Sequence, residues 1–298
     1  EFVEKRFSTN LKTILAIFWI ALYIFVNLSS VLYLGALAFE TIMDVPMIYA
    51  VFGLALFAAI YSLYGGLSAV AWTDVIQVVF LVLGGLITTY LALDILSDGA
   101  GFLVGFNLVL EGAPEKFHMI LDQSNSQYKN LPGIWVLIGG LWVANIYYWG
   151  FNQYIIQRTL AAKSLEEAQN GIALAAFLKI IIPFIVVLPG IAAFVMVNDP
   201  EVMARLGASG QLNLPGVGAS DKAYPWLLQL LPTGLKGIAF AALTAAVVSS
   251  LASMLNSTST IFTMDIYKQY INRNASDRQL VQTGRLVAGI ALIFACIM

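Results

Sequence analysis

A lysine and two prolines interrupt the apolar segment LKIIIPFIVVLPG, residues 178–190. A lysine inside a membrane helix costs about 2.5–3.5 kcal/mol on insertion scales, so Lys179 needs a partner, a wet cavity or a route to the interface. It lies roughly 12 Å from the near end of its apolar run at the α-helical rise per residue, within reach of partial snorkelling. Pro183 cannot donate a hydrogen bond to the backbone carbonyl of Lys179. The Lys179 ammonium and this unbonded carbonyl therefore belong to the same residue, at the same depth in the predicted span. This spacing favours a lysine that lines a polar cavity, and a snorkelling anchor is the alternative.

Polar and aromatic residues crowd into NIYYWGFNQY, residues 145–154, at the end of another apolar run. The Asn145 amide can donate to and accept from a polyhydroxylated ligand, and an aromatic face can cover the apolar face of such a ring. The alternative is an aromatic belt at the membrane interface, where tyrosine and tryptophan are common. A belt of that kind does not require the amide of Asn145.

Small and hydroxyl-bearing residues recur at helical spacing within residues 242–260. Those that share one helix face are Ala246, Ser249, Ser250, Ser253 and Ser257. Such a stripe lets membrane helices pack closely, and its serines can bond their own backbone. The other hypothesis is a site for a monovalent cation, because hydroxyls and exposed helix carbonyls supply hard oxygens without a carboxylate. The residues alone leave both hypotheses open.

The stretch YGGLSAVAWTDVIQ, residues 64–77, joins two apolar runs. Gly65 and Gly66 suit the end of one helix. Thr73 or Asp74 suits the N-cap of the next helix, with Gln77 placed to complete a capping box behind Asp74. The alternative role for Asp74 is a carboxylate at the mouth of an ion pathway.

Long apolar helices are the elements that must hold these residues. Of the 298 residues, 60% are hydrophobic and 11% are charged, against roughly 25% charged in a soluble domain. A run of about 20 apolar residues can cross a bilayer as a helix, and about seven such runs recur along the chain. They cover residues 11–39, 46–63, 75–96, 132–152, 171–197, 233–265 and 281–298. The sequence therefore predicts an all-α polytopic membrane protein.

Basic residues mark one side of the predicted spans as cytoplasmic, by the positive-inside rule. They cluster in three short segments: Lys5, Arg6, Lys12, Arg158, Lys163, Lys268, Arg273, Arg278 and Arg285. The net charge is −2 and no basic tract occurs, so nucleic acid is not an expected partner. Because residues 281–298 end within an apolar run, we expect the chain to be part of a longer protein.

Several motifs resemble signatures of the sodium:solute symporter family. They are YGGLSAVAWTDVIQ at 64–77, WGFNQYIIQR at 149–158, LKIIIPFIVVLPG at 178–190 and SSLASMLNSTSTIFTMDIY at 249–267. Gln157 and Arg158, together with the lysine and prolines of the third motif, look like the sodium/glucose branch of that family. The resemblance extends over nearly the whole chain.

The resemblance implies a LeuT-like transporter core built from two five-helix inverted repeats. The predicted spans would be core helices three to nine, with residues 1–131 in the first repeat and residues 132–298 in the second. Core helices one, two and ten of the same protein would lie outside this chain. The family also implies a multi-pass protein of the bacterial inner membrane.

The resemblance further implies a substrate site for a monosaccharide, galactose or glucose. Asn145 and Lys179 would contact polar groups of the sugar. Tyr148 would stack beneath the sugar ring and act as the inner gate. No organic cofactor is implied.

Sodium is the coupling ion that the resemblance implies. The carbonyl of Ala246 and the hydroxyls of Ser249 and Ser250 would bind it. Asp74 would lie where the ion leaves for the cytoplasm. Within the family, symport of another small solute, such as proline or pantothenate, is the alternative.

Two other function classes fit parts of the pattern. Seven spans with one intramembrane lysine suit a seven-helix retinal photoreceptor, but a protonated Schiff base needs a mid-span carboxylate, and Asp94 and Asp265 lie near span ends. An intramembrane hydrolase that uses serine and lysine lacks a paired motif here. The single histidine, His118, lies in a polar loop. We therefore expect no catalysis.

Overall fold

Helices form every regular element of the computed structural model, which describes residues 2–125, 128–129, 133–208 and 220–298. Their bounds are α1 Phe2–Arg6, α2 Thr9–Met43, α3 Met47–Leu96, α4 Phe102–Gly112, α5 Gly133–Gly150, α6 Gln153–Leu160, α7 Leu165–Lys179, α8 Pro183–Asn198, α9 Pro200–Ala208, α10 Ala223–Gln229, α11 Thr233–Ile271 and α12 Asp277–Ile297. Short 3₁₀ turns occur at Pro114–Phe117 and Ser220–Lys222. The predicted all-α class is confirmed.

Four helical segments of the described residues are long and apolar enough to cross a membrane: α2, the Val70–Leu96 part of α3, α11 and α12. The pairs α5 with α6 and α7 with α8 also qualify if each bent pair is one span, which gives up to 6. Six of the predicted apolar runs fall in these segments. The remaining run, residues 46–63, is the shorter apolar segment Met47–Leu63 at the start of α3.

The predicted helix end at Gly65 and Gly66 is wrong, because α3 runs without a break from Met47 to Leu96. Asp74 therefore lies inside a helix and is not an N-cap. Gly65 and Gly66 lie between the apolar segments Met47–Leu63 and Val70–Leu96, and the helix continues through both glycines despite their poor helix propensity. The correction removes the capping role of Asp74 and leaves the alternative of a carboxylate on an ion pathway.

The chain divides into two compact units, a first unit of Glu1–Leu81 with Phe240–Met298 and a second unit of Val82–Ala239. The first unit buries apolar side chains of α2 and α11 in its core, among them Tyr23, Leu28, Leu32, Leu251 and Leu255. The predicted boundary between two repeats, at residues 131 and 132, lies outside the described residues.

A group of polar contacts in the first unit ties the start of α2 to the end of α11. The Lys12 ammonium lies 3.0 Å from a Glu4 carboxylate oxygen and 3.4 Å from one of Asp265. The hydroxyls of Thr13 and Tyr270 are 2.6 Å apart. The hydrogen bond from Lys12 lowers the pKa of the Glu4 carboxyl, so Glu4 stays ionised to a lower pH than an isolated glutamate.

The second unit has its own apolar core, in which α8 is the main contributor. Core residues from α3, α4, α8 and α10 include Leu93, Val109, Leu188, Ile191, Met196 and Trp226. Trp226 and Met196 are completely buried. This packing holds α8 in place on one side of a helix bend.

Two bends interrupt apolar helices in the second unit, one of 44° between α5 and α6 and one of 41° between α7 and α8. The second bend lies at Pro183, whose missing N–H cannot bond the Lys179 carbonyl: α7 ends at Lys179 and α8 begins at Pro183. Between them, Ile180 and Ile181 donate to carbonyls only three residues earlier, which tightens the last turn.

Thr89 satisfies a carbonyl that Pro189 leaves without a donor. In the π-helical start of α8, the Leu188 N–H donates to the Pro183 carbonyl. The next bond of that register would join Pro189 to Phe184, but proline has no N–H. The Thr89 hydroxyl donates to the Phe184 carbonyl instead, at 2.8 Å. A side chain of α3 thus stabilises the bent helix, as expected for proline within a membrane span.

Candidate functional site

The predicted ligand-binding residues of the second unit meet at one tryptophan. The Lys179 ammonium lies 4.0 Å from the centroid of the Trp149 ring. The Trp149 indole N–H donates to the Asn145 side-chain oxygen at 3.2 Å. The rings of Tyr148 and Trp149 meet edge to face, with centroids 5.2 Å apart. We call Asn145, Tyr148, Trp149 and Lys179 the Trp149 cluster.

Helix ends bring the Trp149 cluster together. Asn145 and Trp149 are four residues apart, so they lie on one face of α5 just before that helix ends at Gly150. Lys179 is the last residue of α7, where the carbonyl end of a helix favours a positive charge. Both helices end at a bend, so the cluster forms where apolar spans are interrupted.

The polar groups of the Trp149 cluster retain hydrogen-bonding capacity for a ligand. The Asn145 amide donates to the Leu141 carbonyl at 2.8 Å and accepts from Trp149, which leaves it a second N–H and a second lone pair. The Lys179 ammonium has three donors, and no carboxylate pairs with it among the described residues.

The aromatic members of the cluster are accessible. Tyr148 is 41% exposed and Trp149 is 45% exposed. An amide and an ammonium therefore lie beside an exposed tryptophan that contacts an exposed tyrosine, an arrangement that suits a hydroxylated ring.

Trp149 is the residue of this cluster that sequence reasoning did not single out. Its spacing from Asn145 is the signal that could have identified it, because side chains four apart on a helix are neighbours. The contact with Lys179 joins two different helices, so no local pattern indicates it.

The serine stripe of α11 lies in the first unit and is buried along most of its length. Ser253 and Ser257 are completely buried, and the Ser257 hydroxyl donates to the Ser253 carbonyl at 2.9 Å. Thr258 donates in the same way to the Met254 carbonyl, at 2.9 Å. The hydroxyls of Ser257 and Thr258 thus bond their own helix, as the packing hypothesis predicts for the stripe.

Ser249 differs from the serines farther along α11. It is 4% exposed, and its hydroxyl donates to the Asp74 carboxylate. Ala246 and Ser250 are half-buried positions of the same helix. The structure thus joins two of the residues predicted for the ion, and we call them the Asp74–Ser249 pair.

The polar side-chain atoms of the Asp74–Ser249 pair are all oxygens, the donor atoms that hard cations prefer. A carboxylate and a hydroxyl, with the Ser250 hydroxyl and the Ala246 carbonyl nearby on α11, are ligands that an alkali cation accepts. The described residues contain no group of three or more His, Cys, Asp and Glu side chains that could hold a metal ion. One carboxylate with neutral oxygens fits a weakly held monovalent ion.

Comparison with known proteins identifies related sequences over the whole chain. The Sodium:solute symporter family model matches residues 1–298. The chain is 67% identical over 297 residues to the Sodium/glucose cotransporter of Vibrio parahaemolyticus, covering 100% of this chain and 55% of that protein. It is 36% identical over 299 residues to the Sodium/myo-inositol cotransporter 2 of Bos taurus, covering 96% of this chain and 44% of that protein. The chain thus spans about half the length of these relatives.

A solved structure extends the likeness to the fold. The substrate-bound outward-open state of a Na⁺-coupled sialic acid symporter aligns with a TM-score of 0.79 and 27% sequence identity, over 100% of this chain and 60% of that one. This match confirms the LeuT-like fold of a multi-pass membrane protein. The relatives are transporters and not enzymes. From the family match over residues 1–298, the chain belongs to the sodium:solute symporter family.

Proposed function

We propose that the full-length protein takes up a monosaccharide, galactose or glucose, together with sodium ions that move inward. The observation that carries this proposal is the convergence of Asn145, Tyr148 and Lys179 at Trp149, because polar heads beside aromatic faces suit a sugar ring. The name of the 67% identical relative, a sodium/glucose cotransporter, supports the same substrate class.

In the proposed sugar site, Asn145 and Lys179 bond sugar hydroxyls while Tyr148 stacks beneath the ring as the inner gate. The contact between Lys179 and Trp149 holds the ammonium near the amide before the sugar arrives. A hydroxyl that accepts from Lys179 then completes the coordination of the ammonium. Exclusion of water by the gate strengthens these hydrogen bonds.

In the proposed sodium site, the Ala246 carbonyl and the hydroxyls of Ser249 and Ser250 bind the ion. The hydrogen bond between Ser249 and Asp74 supports a role for Asp74 on the path by which sodium leaves. It connects a proposed sodium ligand to the carboxylate at which the departing ion would pause. Neutral ligands hold the ion weakly enough to release it, and the carboxylate offers it the next favourable position.

Coupling in this proposal is a binding free energy shared by the two sites. Sodium stabilises an outward-open state, in which the sugar binds above the closed gate, and both ligands leave to the cytoplasm after the protein turns inward. Residues 1–131 and 132–298 belong to the two inverted repeats. Core helices one, two and ten of the same protein supply further ligands. The setting is the inner membrane of a bacterium.

A cyclitol is a second candidate substrate, because a relative 36% identical is named a sodium/myo-inositol cotransporter. Proline and pantothenate lack the ring of hydroxyls that the Trp149 cluster suits. The retinal alternative loses support, because the Lys179 ammonium lies over an indole ring and pairs with no carboxylate among the described residues.

Uptake by proteoliposomes that contain the full-length protein tests the proposed function. Labelled galactose should accumulate when sodium is supplied outside and should not when choline replaces it. Excess unlabelled glucose or myo-inositol should compete if its ring occupies the same site, whereas proline should not. Galactose uptake that is equal in sodium and in choline would overturn the proposal.

A further inference from the structure

A polar cavity of about 390 Å³ lies in the first unit, and its lining includes neither Asp74 nor Ser249. It is bounded by residues 62–65 of α3, residues 256–264 of α11 and residues 280–288 of α12. Its polar lining comprises Ser62, Asn256, Ser259, Thr260, Thr263 and Arg285. A volume of this size falls in the range of small-ligand sites, about 300–1,000 Å³. The proposed transport reaction does not use this cavity.

Thr263 places an unpaired hydroxyl at this cavity. The residue is 5% exposed, and its hydroxyl oxygen finds no hydrogen-bond partner within the part of the chain that the structure describes. Burying a hydroxyl without a hydrogen-bond partner is unfavourable. A ligand atom that bonded to Thr263 from the cavity would remove this cost and would itself be held more tightly.

Gly284 lets a second hydroxyl approach the same space. A Cβ atom at Gly284 would lie 2.6 Å from the Ser259 hydroxyl oxygen and 3.5 Å from that of Thr263. A larger residue would therefore collide with the Ser259 hydroxyl. Glycine at this position therefore lets α12 pack closely against α11 beside the cavity.

The charge of the cavity comes from Arg285, the residue after Gly284. Arg285 is the charged member of the described lining, and no carboxylate pairs with it among the described residues. A guanidinium forms a planar fork of donors that matches phosphate oxygens, and nearby hydroxyls add further donors. We infer that the cavity binds a phosphate group, either on an anionic phospholipid or as the free ion.

The surroundings of the cavity favour a lipid as the source of the phosphate. Met264 and Val281 belong to its lining and are themselves exposed, so acyl chains can contact them beside the headgroup. Arg285 also lies in the segment that the charge pattern predicts to be cytoplasmic, where anionic headgroups bind basic pockets between helices.

Native mass spectrometry of the full-length protein tests this inference. The protein is released from nanodiscs that contain equal amounts of phosphatidylglycerol and phosphatidylcholine, and the lipids that remain bound are counted. We expect selective retention of phosphatidylglycerol. Arg285→Gln should weaken it about tenfold, as for the loss of one charge-assisted contact with phosphate. Thr263→Val should weaken it less, because it removes a neutral donor.

Arg278→Gln is the matched control, since Arg278 is an exposed arginine of α12 outside the lining. Addition of inorganic phosphate distinguishes a free phosphate ion from a phospholipid as the ligand. If free phosphate displaces the retained lipid, the cavity recognises phosphate itself, and if it does not, the cavity recognises the phospholipid. Either result is consistent with a site that binds a phosphate group. Equal retention in Arg285→Gln and the unmodified protein, or an equal loss in Arg278→Gln, would overturn it. If Arg285→Gln does not fold, Thr263→Val carries the same comparison, and unchanged retention there would overturn the inference.

Discussion

The Trp149 cluster of the second unit and the Asp74–Ser249 pair of the first unit differ in how the chain presents their polar groups. Tyr148 and Trp149 are exposed by more than two-fifths, whereas Ser249 is 4% exposed. The cluster forms where α5 and α7 end at bends, and the pair forms within the unbroken α-helical parts of α3 and α11.

The difference between the two regions matches the sizes of the proposed ligands. A sugar ring needs access and several donors that point to one place, which helix ends and bends provide. A sodium ion needs only a few oxygens, which two packed helices supply through a hydroxyl and a carboxylate without interruption. Substitutions should therefore separate the two functions: changes in the cluster should alter the galactose dependence of uptake, and changes in the pair should alter its sodium dependence.

Lys179→Ala is expected to have the largest effect, because it removes the charged donor of the cluster. The half-saturating galactose concentration of proteoliposome uptake should rise about 10- to 100-fold, which corresponds to the loss of a hydrogen bond from a charged group. Lys179→Arg keeps the charge and should retain part of the affinity. An unchanged galactose dependence in Lys179→Ala would identify Lys179 as a snorkelling anchor.

Ser249→Ala removes the hydroxyl that contacts Asp74 and is expected to raise the half-saturating sodium concentration about tenfold. Ser250→Ala should act in the same direction. Ser257→Ala is the matched control, because this buried hydroxyl of α11 bonds its own backbone. Sodium titrations of uptake measure all three variants. Equal shifts in Ser249→Ala and Ser257→Ala would assign the whole stripe to packing.

Tyr148→Ala should lower galactose affinity about 3- to 10-fold, as expected when one aromatic contact is lost. Tyr148→Phe keeps the ring and should change the affinity by less than about twofold if stacking is the main role. Equilibrium binding of labelled galactose distinguishes the two variants. An equal loss in both would mean that the hydroxyl, and not the ring, makes the important contact.

Trp149→Phe is expected to have a smaller effect on galactose binding than Tyr148→Ala, about two- to fivefold, because a ring remains beneath Lys179 while the indole N–H to Asn145 is lost. Trp142→Phe is the matched control, since Trp142 is an exposed tryptophan of the same helix. Sodium dependence should be normal in both variants. Equal effects at the two positions would favour an interfacial aromatic belt.

Residue type and spacing were sufficient to predict the class and several local features. The apolar runs indicate membrane helices, and Pro183 indicates a lost hydrogen bond at Lys179, the residue where α7 ends. The helical spacing of the serines predicts a shared face, which the burial of Ser253 and Ser257 confirms. Each of these inferences depends on a property of one short segment of the chain.

Features that depend on contacts between distant segments could not be predicted in the same way. The N-cap assigned to Asp74 was wrong because Gly65 and Gly66 have poor helix propensity in water, whereas α3 continues through them. The partner of Ser249 lies in another helix, and so does the ring beneath Lys179. No periodicity indicates which helix faces which, so packing alone separates Ser249 from Ser257.

Reciprocal binding provides the most direct test of a sodium site coupled to a sugar site. Dissociation constants of the full-length protein for galactose should be measured with sodium and with choline, and those for sodium with and without galactose. Each ligand should tighten the binding of the other by the same factor, about 5- to 150-fold if the coupling is typical. A galactose dissociation constant that is the same in sodium and in choline would contradict coupling between the two sites.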